Sequence, residues 1–251
     1  MSFTKKELAK MIDHSIVTPN PTEEIVQRYC EEAKRYGFGA VSVNSSYVPL
    51  AAKLLKRTAV RLCASIAFPF GAVATDAKVF EARYCIEDGA DEIDMVMNIG
   101  AFKSKNYDFV EKDIKTVVNA SKEEGEKLRK NILVKVIIET GYLSDEEIVK
   151  ASKLVKDAGA DFVKTCTGFG PRGVTVRDIQ LIRKGVGTKM GIKVAGGIRT
   201  FGDAIKLIEE GATRIGTSHS VNIIKSCGKK FNERAGTPFH WLNISPTGTP
   251  S

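Results

Sequence analysis

The sequence predicts an α/β protein built as a single (β/α)8 TIM barrel with a short N-terminal helical extension. Its 251 residues match the roughly 250 that one such barrel needs. Eight short apolar segments alternate with segments of helical pattern, which indicates a mostly parallel sheet. A Gly-Ala pair followed by strand-forming residues recurs at positions 39, 89, 159 and 211, as expected of repeated helix-to-strand units. A doubly wound open sheet is the structural alternative.

Most of the predicted strands are apolar on both faces, as buried parallel strands are. They cover residues 12–15, 40–44, 61–68, 92–97, 133–139, 161–165, 191–195 and 214–217. Eight strands with helices between them, in a chain of this length, favour closure into a barrel.

Helical patterns rich in Glu, Lys, Ala and Leu separate the strands, with examples at residues 22–36, 76–87, 144–157 and 201–210. Ser144 and Glu147 have the spacing of a capping box, which predicts that a helix begins there. The glycine of each Gly-Ala pair is expected to end the preceding helix in a left-handed conformation. Residues 1–225 are predicted to form the barrel domain, and residues 226–251 an irregular C-terminal tail rich in turn-forming residues.

The chain carries 38 basic and 30 acidic residues, a net charge of +8. A positive protein favours anionic partners. The basic residues alternate with acidic ones and form no stripe interleaved with aromatic residues. Phosphorylated small molecules are therefore the expected partners, and nucleic acid is not.

The five cysteines are scattered without a CxxC pair, and there are only three histidines. This pattern predicts neither a disulfide framework nor a metal site, and it favours a reducing compartment. The first residues have no apolar core like that of a signal peptide. No apolar run reaches the roughly 18 residues of a membrane span. A cytoplasmic protein without a membrane partner is expected.

Three lysines lie inside otherwise apolar strands, namely Lys135, Lys164 and Lys193. One strand lysine is usually an edge or surface residue. Three on successive barrel strands would face one another in the interior, since neighbouring strands lie about 4.8 Å apart. Burial and like charge lower the pKa of a lysine, and the free amine is then a nucleophile toward a carbonyl. One of the three is predicted to be nucleophilic beside another that stays cationic, and the pattern alone does not decide which.

An acid inside an apolar strand is costly unless it is paired, and Asp94 is such an acid. It is predicted either to form a structural ion pair with one of the lysines or to relay protons, directly or through a water. Asp13, near the end of the first predicted strand, is a weaker candidate of the same kind. A capping or turn role is an equal alternative for Asp13.

Loops of small residues follow the last two predicted strands. Gly196 and Gly197 lie in one, and Gly216 and Ser218 in the other. Barrel enzymes often bind phosphate at this place through loop amides. Residues 168–173 match the dinucleotide pattern GxGxxG literally, but an internal proline and the lack of an acid ending the next strand argue against nucleotide binding. This segment is expected to be a loop at the barrel mouth.

Seven segments together resemble the deoxyribose-phosphate aldolase family over roughly residues 11–224. They are IDH at 12–14, AFPFG at 67–71, EIDMV at 92–96, KVIIET at 135–140, FVKTCTGFG at 162–170, GGIRT at 196–200 and RIGTS at 214–218. The resemblance implies a class I aldolase, a lyase without a metal or other cofactor. Such an enzyme reversibly cleaves 2-deoxyribose 5-phosphate to glyceraldehyde 3-phosphate and acetaldehyde.

The resemblance also implies roles for particular residues. By position, Lys164 corresponds to the Schiff-base lysine, Lys193 to the second lysine, and Asp94 to the carboxylate that works with a bound water. Contacts with the substrate are expected from eight further residues: Asp13, Lys135, Thr167, Gly168, Gly196, Gly197, Gly216 and Ser218.

The chain departs from the family's usual pattern on the predicted phosphate loop, where His219-Ser220 stands in place of Ser-Gly. One alternative is therefore a related Schiff-base lyase that acts on another sugar phosphate or on an unphosphorylated aldehyde. A non-catalytic sugar-phosphate binder is the alternative from another class. A homo-oligomer is expected, with a dimer as the specific prediction.

Overall fold

The computed structural model describes residues 4–227, which form a closed barrel of eight parallel strands. Each strand pairs with the next in sequence, and the last pairs with the first. The strands are β1 (Ile12–Ile16), β2 (Ala40–Asn44), β3 (Arg61–Ile66), β4 (Glu92–Val96), β5 (Leu133–Ile137), β6 (Phe162–Lys164), β7 (Gly191–Ala195) and β8 (Arg214–Thr217). The predicted (β/α)8 barrel is confirmed, and the open-sheet alternative is wrong.

A helix precedes β1, as predicted, and the others connect successive strands or follow the last one. The helices are α1 (Lys5–Lys10), α2 (Glu23–Tyr36), α3 (Val48–Leu55), α4 (Thr75–Glu87), α5 (Ile99–Lys103), α6 (Tyr107–Lys127), α7 (Asp145–Asp157), α8 (Val176–Val186), α9 (Phe201–Glu209) and α10 (Ser220–Ser226). Short 3₁₀ turns occupy Ser45–Tyr47 and Thr140–Tyr142. Within residues 4–227, none of the helices has the length and apolarity that crossing a membrane requires.

Side-chain caps fix several helix starts. Ser144 accepts a hydrogen bond from the Glu147 amide while the Glu147 carboxylate accepts one from the Ser144 amide, which is the predicted capping box. Thr4 and Glu7 form the same arrangement at the start of α1. The helix α10 extends to Ser226, one residue past the predicted barrel boundary. Nearly all of the predicted tail lies outside the described residues.

Two strands, β3 and β5, end two residues earlier than predicted, because the chain leaves the extended conformation. Ala67 follows β3 with φ 48°, and Glu139 lies two residues after β5 with φ 52°. Residues other than glycine seldom adopt a positive φ. The apolar sequence continues through these turns, so the hydrophobic pattern alone overestimates the length of both strands.

The expectation for the Gly-Ala pairs holds at three of four positions. Gly89, Gly159 and Gly211 have positive φ after a helix, but Gly39 does not. Gly37 ends α2 instead, with φ 70°. Gly39 is required for a different reason, since a Cβ there would lie 2.3 Å from the carbonyl oxygen of Lys10. Its lack of a side chain lets α1 approach the barrel.

The apolar core lies between the barrel and its helices and is formed by the outward-facing residues of the strands. On β4, for example, Ile93 and Met95 are buried in this core, while Glu92 and Asp94 alternate with them. β4 is therefore not among the strands with two apolar faces. The inner face of this strand is charged.

Substituting Gly39 by Ala should lower the free energy of unfolding by about 1–3 kcal/mol, because the added methyl group overlaps the Lys10 carbonyl and forces α1 away from the barrel. The midpoint of urea unfolding measures this loss. Gly159→Ala is the control, since nothing lies within 4 Å of a Cβ there and only backbone strain of about 1 kcal/mol is expected. Equal losses in the two variants would contradict the steric explanation.

Candidate active site in the barrel interior

Seven charged side chains line the interior of the barrel, and we refer to them as the charge cluster. They are Asp13, Glu92, Asp94, Lys135, Lys164, Lys193 and Arg214. These side chains come from six strands, β1 and β4 to β8. Each of them lies within ion-pair distance of a group of opposite charge. An interior of this kind is stable only because its ions are paired.

Asp94 lies at the centre of the charge cluster. Its Oδ1 is 2.9 Å from the Nζ of Lys135. Its Oδ2 is 2.7 Å from the Nζ of Lys164 and 2.6 Å from that of Lys193. Burial alone would raise the pKa of Asp94, but the three lysines outweigh it and hold this pKa well below its usual value. Asp94 is therefore ionised, and it bridges the two lysines at its Oδ2.

A second layer of ion pairs lies toward the amino ends of the strands. Asp13 contacts the Nζ of Lys193 at 2.5 Å and the guanidinium of Arg214 at 2.8 Å. Glu92 contacts Lys135 at 2.6 Å and the other arm of Arg214 at 3.0 Å. Arg214 thus holds both acids apart and in place.

The three lysines differ in how strongly they hold a proton. Burial lowers the pKa of all three, but the carboxylates around Lys135 and Lys193 outweigh it and raise the pKa of both. Among the acids of residues 4–227, Lys164 contacts only Asp94. Burial, reinforced by the neighbouring Lys193 charge, lowers its pKa. One lysine of lowered pKa beside others that stay cationic is the arrangement that the strand pattern predicted.

The count of charges supports the same protonation state. The charge cluster has three carboxylates and four basic groups, so it balances when one base is neutral. A net charge in a low-dielectric interior is unfavourable. Lys164 is the base that can lose its proton most easily, and its free amine leaves the interior neutral.

Lys164 is also the lysine that a ligand reaches first. It is the last residue of β6, at the carboxyl end of the barrel where enzymes of this fold bind their substrates. Lys164 is 4% exposed, whereas Lys135 and Lys193 are 0% exposed. Position, exposure and pKa therefore favour Lys164 over the other two as the nucleophile.

The loop after β6 forms part of the mouth. The amide and hydroxyl of Thr167 both donate to one carboxylate oxygen of Glu139, and Gly168 has φ 94°. The GxGxxG-like segment belongs to this loop, where Arg172 pairs bidentately with Asp178 at 2.7 and 2.9 Å. The segment is therefore fixed as a loop at the mouth, as predicted.

The loops after β7 and β8 lie against each other. The Thr217 hydroxyl donates to the Ile198 carbonyl at 2.7 Å, and the His219 amide donates to the Thr217 hydroxyl at 2.9 Å. Gly196 and Gly197 have φ values of 90° and 80°, which turn consecutive amides toward one side. The structure thus brings together the two loops predicted to bind phosphate.

Three predicted substrate contacts lie deeper than expected. Asp13 is the second residue of β1 rather than near its end, and both Asp13 and Lys135 are 0% exposed. Gly216 lies within β8, where a Cβ would be 3.2 Å from the Cε of Lys193. In this structure these residues pair with or make room for Asp94 and Lys193.

Sequence reasoning missed three members of the site. Glu92 precedes Asp94 by two positions on the same strand, so strand alternation places both side chains on one face. Arg214 likewise precedes Gly216 by two positions on β8, so the two residues lie on the same face of that strand. Glu139 is 1% exposed, and its Oε1 has no hydrogen-bond partner among the described residues. Its positive φ is not visible in the sequence.

His14 faces away from the barrel interior. Its Nδ1 lies 2.9 Å from the Ser220 hydroxyl and its Nε2 lies 2.8 Å from Glu32. Burial lowers the pKa of His14 against the effect of Glu32. The Ser220 hydroxyl donates to the Thr217 carbonyl at 3.0 Å, so this histidine connects β1 and α2 to the loop after β8.

One group of side chains has the spacing of metal ligands. Donor atoms of Asp13, Cys63 and Glu92 lie within 4.8 Å of one another. Both carboxylates already pair with lysine and arginine, and burial raises the pKa of the Cys63 thiol to about 12. A divalent cation here would compete with three positive side chains, so the donor set does not fit one.

A free amine held in a water-poor barrel attacks aldehydes and ketones and can hold the product as an imine. The fold and the charge cluster therefore define an enzyme of the Schiff-base lyase class. A family model described as DeoC/LacD family aldolase matches residues 8–226, and the chain belongs to this aldolase family.

Curated relatives are similar over nearly their full length. A deoxyribose-phosphate aldolase of Caldanaerobacter subterraneus subsp. tengcongensis is 51% identical over 223 residues, which cover 89% of this chain and 94% of that protein. A deoxyribose-phosphate aldolase of Thermococcus gammatolerans is 53% identical over 221 residues, covering 87% and 96%. These relatives agree with the family that the sequence segments indicated.

Solved structures share the fold. The deoxyribose phosphate aldolase of Aeropyrum pernix, described as a unique tetrameric structure, superposes with a TM-score of 0.81 at 31% identity and covers 89% of this chain and 92% of its own. An aldolase called QR15 superposes with a TM-score of 0.80 at 39% identity, covering 87% and 95%.

Replacing Lys193 by Met should raise the pKa of Lys164, because the positive charge that helps to lower it is removed. The free amine forms as the pH rises through this pKa, so the acid side of the pH profile should move to higher pH. The pH dependence of borohydride trapping of acetaldehyde on Lys164 measures the shift. Lys193→Arg keeps the charge and should leave the profile near that of the original protein. An unshifted profile in Lys193→Met would refute the electrostatic coupling.

Proposed function

We propose that this protein is a class I aldolase that reversibly cleaves 2-deoxyribose 5-phosphate to glyceraldehyde 3-phosphate and acetaldehyde through a Schiff base on Lys164. The observation that carries the proposal is the position of Lys164. It is the interior lysine with both a lowered pKa and contact with the mouth. Membership in the aldolase family supports the reaction class, and the names of the relatives support the substrate.

The reaction begins when the free amine of Lys164 attacks C1 of the open-chain sugar. The resulting carbinolamine loses water and becomes a protonated imine. This imine withdraws electrons as the bond between C2 and C3 breaks, and the C3 hydroxyl gives up its proton. Glyceraldehyde 3-phosphate leaves, and an enamine of acetaldehyde stays on the lysine.

The remaining steps return the enzyme to its starting state. A proton is added to C2 of the enamine, which becomes an imine of acetaldehyde. One water molecule then hydrolyses this imine and releases acetaldehyde and the free lysine. This water balances the one that was lost when the first imine formed. Asp94 lies 2.7 Å from the Nζ of Lys164 and 2.6 Å from that of Lys193. These distances support Asp94 and Lys193 as the groups that carry the protons, directly or through a water.

The phosphate of the substrate is assigned to the loops after β6, β7 and β8. Consecutive amides at Gly196 and Gly197 and the hydroxyl of Ser218 supply donors for its oxygens, and Gly168 lets the chain approach closely. A homo-oligomer is part of the proposal, and a dimer remains the specific prediction.

One observation favours the alternative of an unphosphorylated or differently phosphorylated substrate. The Ser218 hydroxyl lies 3.2 Å from the Nδ1 of His219. In the tautomer with Nδ1 unprotonated, this nitrogen accepts from the hydroxyl and competes with a phosphate for it. If this contact persists during binding, the preference for a phosphorylated sugar is reduced.

Incubation with acetaldehyde followed by borohydride should attach a two-carbon unit to Lys164, located by peptide mass spectrometry. Lys164→Ala should lose the adduct and reduce turnover of 2-deoxyribose 5-phosphate by at least about a thousandfold, because the nucleophile is gone. Lys184→Ala, an exposed lysine on α8, is the control and should retain both. Turnover that survives in Lys164→Ala would exclude the Schiff-base mechanism at this residue.

Ser218→Ala should raise KM for 2-deoxyribose 5-phosphate about ten- to a hundredfold, the effect of one hydrogen bond to a charged group. KM for unphosphorylated 2-deoxyribose should not change. His219→Ala frees the Ser218 hydroxyl and should lower KM for the phosphorylated sugar only. If Ser218→Ala affected both substrates equally, the phosphate would have to bind elsewhere.

A further inference from the structure

A cavity opens at the end of the barrel opposite to Lys164. Its volume is about 1090 Å³. The first residues of β3, β5 and β8 line it, together with residues of α1 and the carboxyl end of α2. We refer to it as the amino-end cavity. The proposed aldolase reaction does not use it.

The charge of this cavity is one-sided. Of the described residues that line it, none is acidic and seven are basic: Lys5, Lys6, Lys10, Lys34, Arg35, Arg61 and Arg214. The whole chain, by contrast, has 38 basic and 30 acidic residues. The excess of basic over acidic residues is therefore greater around this cavity than the composition of the whole chain would produce.

Five of these cations have no carboxylate partner. Within residues 4–227, ion pairs are formed by Arg61 and Arg214 but not by the lysines of α1, Lys34 or Arg35. Lys34 donates to the Leu54 carbonyl at 3.4 Å, and the guanidinium of Arg35 lies 5.7 Å from the ring centre of Tyr36. Both contacts leave the positive charge available to an anion.

The helix ends account for only part of this charge. Lys10, Lys34 and Arg35 lie in the last turns of α1 and α2, where a cation offsets the negative end of the helix dipole. That end is equivalent to about half a negative charge per helix. Two helices thus offset about one of the cations, and the others repel one another across the cavity.

We propose that the amino-end cavity binds a small anion with linked phosphoryl groups, of the kind found in nucleoside triphosphates and inorganic triphosphate. Several unpaired cations around one concavity suit a ligand with several negative charges close together. The volume is that of a site for a small molecule. A polynucleotide would need a longer basic track than this local cluster of cations.

The aromatic wall distinguishes the two sources of such a ligand. Tyr36 and Phe38 stack with ring centres 5.7 Å apart, and both line the cavity. Tyr36 is partly exposed, so its ring is available to a nucleobase. A nucleotide gains this contact in addition to its phosphates, and inorganic triphosphate does not.

The test is titration calorimetry of the full-length chain with inorganic triphosphate and with ATP. The test variant is Lys6→Ala/Lys34→Ala/Arg35→Ala, which removes three exposed cations of the cavity. The control variant is Lys112→Ala/Lys115→Ala/Lys153→Ala, which removes three exposed lysines of other surfaces and changes the net charge equally. None of the six residues belongs to the charge cluster, so both variants should fold and retain turnover.

We expect the cavity variant to weaken triphosphate binding at least about tenfold, because three favourable charge contacts are lost, and the control variant to change it less than about twofold. Tighter binding of ATP than of triphosphate would identify a nucleotide ligand, and equal binding would identify the phosphate chain alone. Equal weakening in both variants would overturn the proposal.

Two further results would also overturn it. A single-stranded oligonucleotide that binds more tightly than either ligand, and loses this affinity in the cavity variant, would assign the surface to nucleic acid. A change of oligomeric state in the cavity variant, measured by sedimentation, would assign it to a second copy of the chain. The assay requires no turnover, so its result is independent of the chemistry at Lys164.

Discussion

The polar interior of this barrel depends on one carboxylate, that of Asp94, with the amino groups of three lysines within 3 Å of its oxygens. Each buried lysine would cost several kcal/mol if it were unpaired, and Asp94 offsets that cost for all three. Because Asp13 and Glu92 provide additional negative charge to Lys193 and Lys135 but not to Lys164, the one neutral amine occurs at the position nearest the mouth. The reactivity of Lys164 is thus a consequence of how few acids surround it.

Stability and chemistry are separated in space. The continuous apolar core lies outside the barrel, between the strands and the helices, and it contains the outward-facing residues of strands whose inward-facing residues are charged. Strand alternation makes this separation possible, since adjacent residues face opposite sides. The interior can therefore hold ions that an apolar core would not tolerate, while the burial that stabilises the fold takes place elsewhere.

The sequence predicted the barrel and nearly all strand positions, because buried parallel strands produce apolar runs that are easy to recognise. It also singled out Lys135, Lys164, Lys193 and Asp94 as charges that do not suit such runs. The pattern could not rank the three lysines, because the ranking depends on which acids face each of them from other strands. Glu92 could have been found from its spacing to Asp94. The early ends of β3 and β5 could not, because positive φ at Ala67 and Glu139 leaves no trace in residue type.

The closing pair of strands has a consequence for how the protein is made. β1 and β8 pair at Asp13 and Gly216, and Arg214 reaches Asp13 across 201 positions of sequence. During synthesis the first strands leave the ribosome long before β8 exists, so the early chain has an acid-bearing strand without its final partner. Water can solvate Asp13, Glu92 and Asp94 in that interval, because their lysine partners lie on the later strands β5, β6 and β7. The two ion pairs of Arg214 therefore complete the charge cluster only when the last strand is present to close the ring.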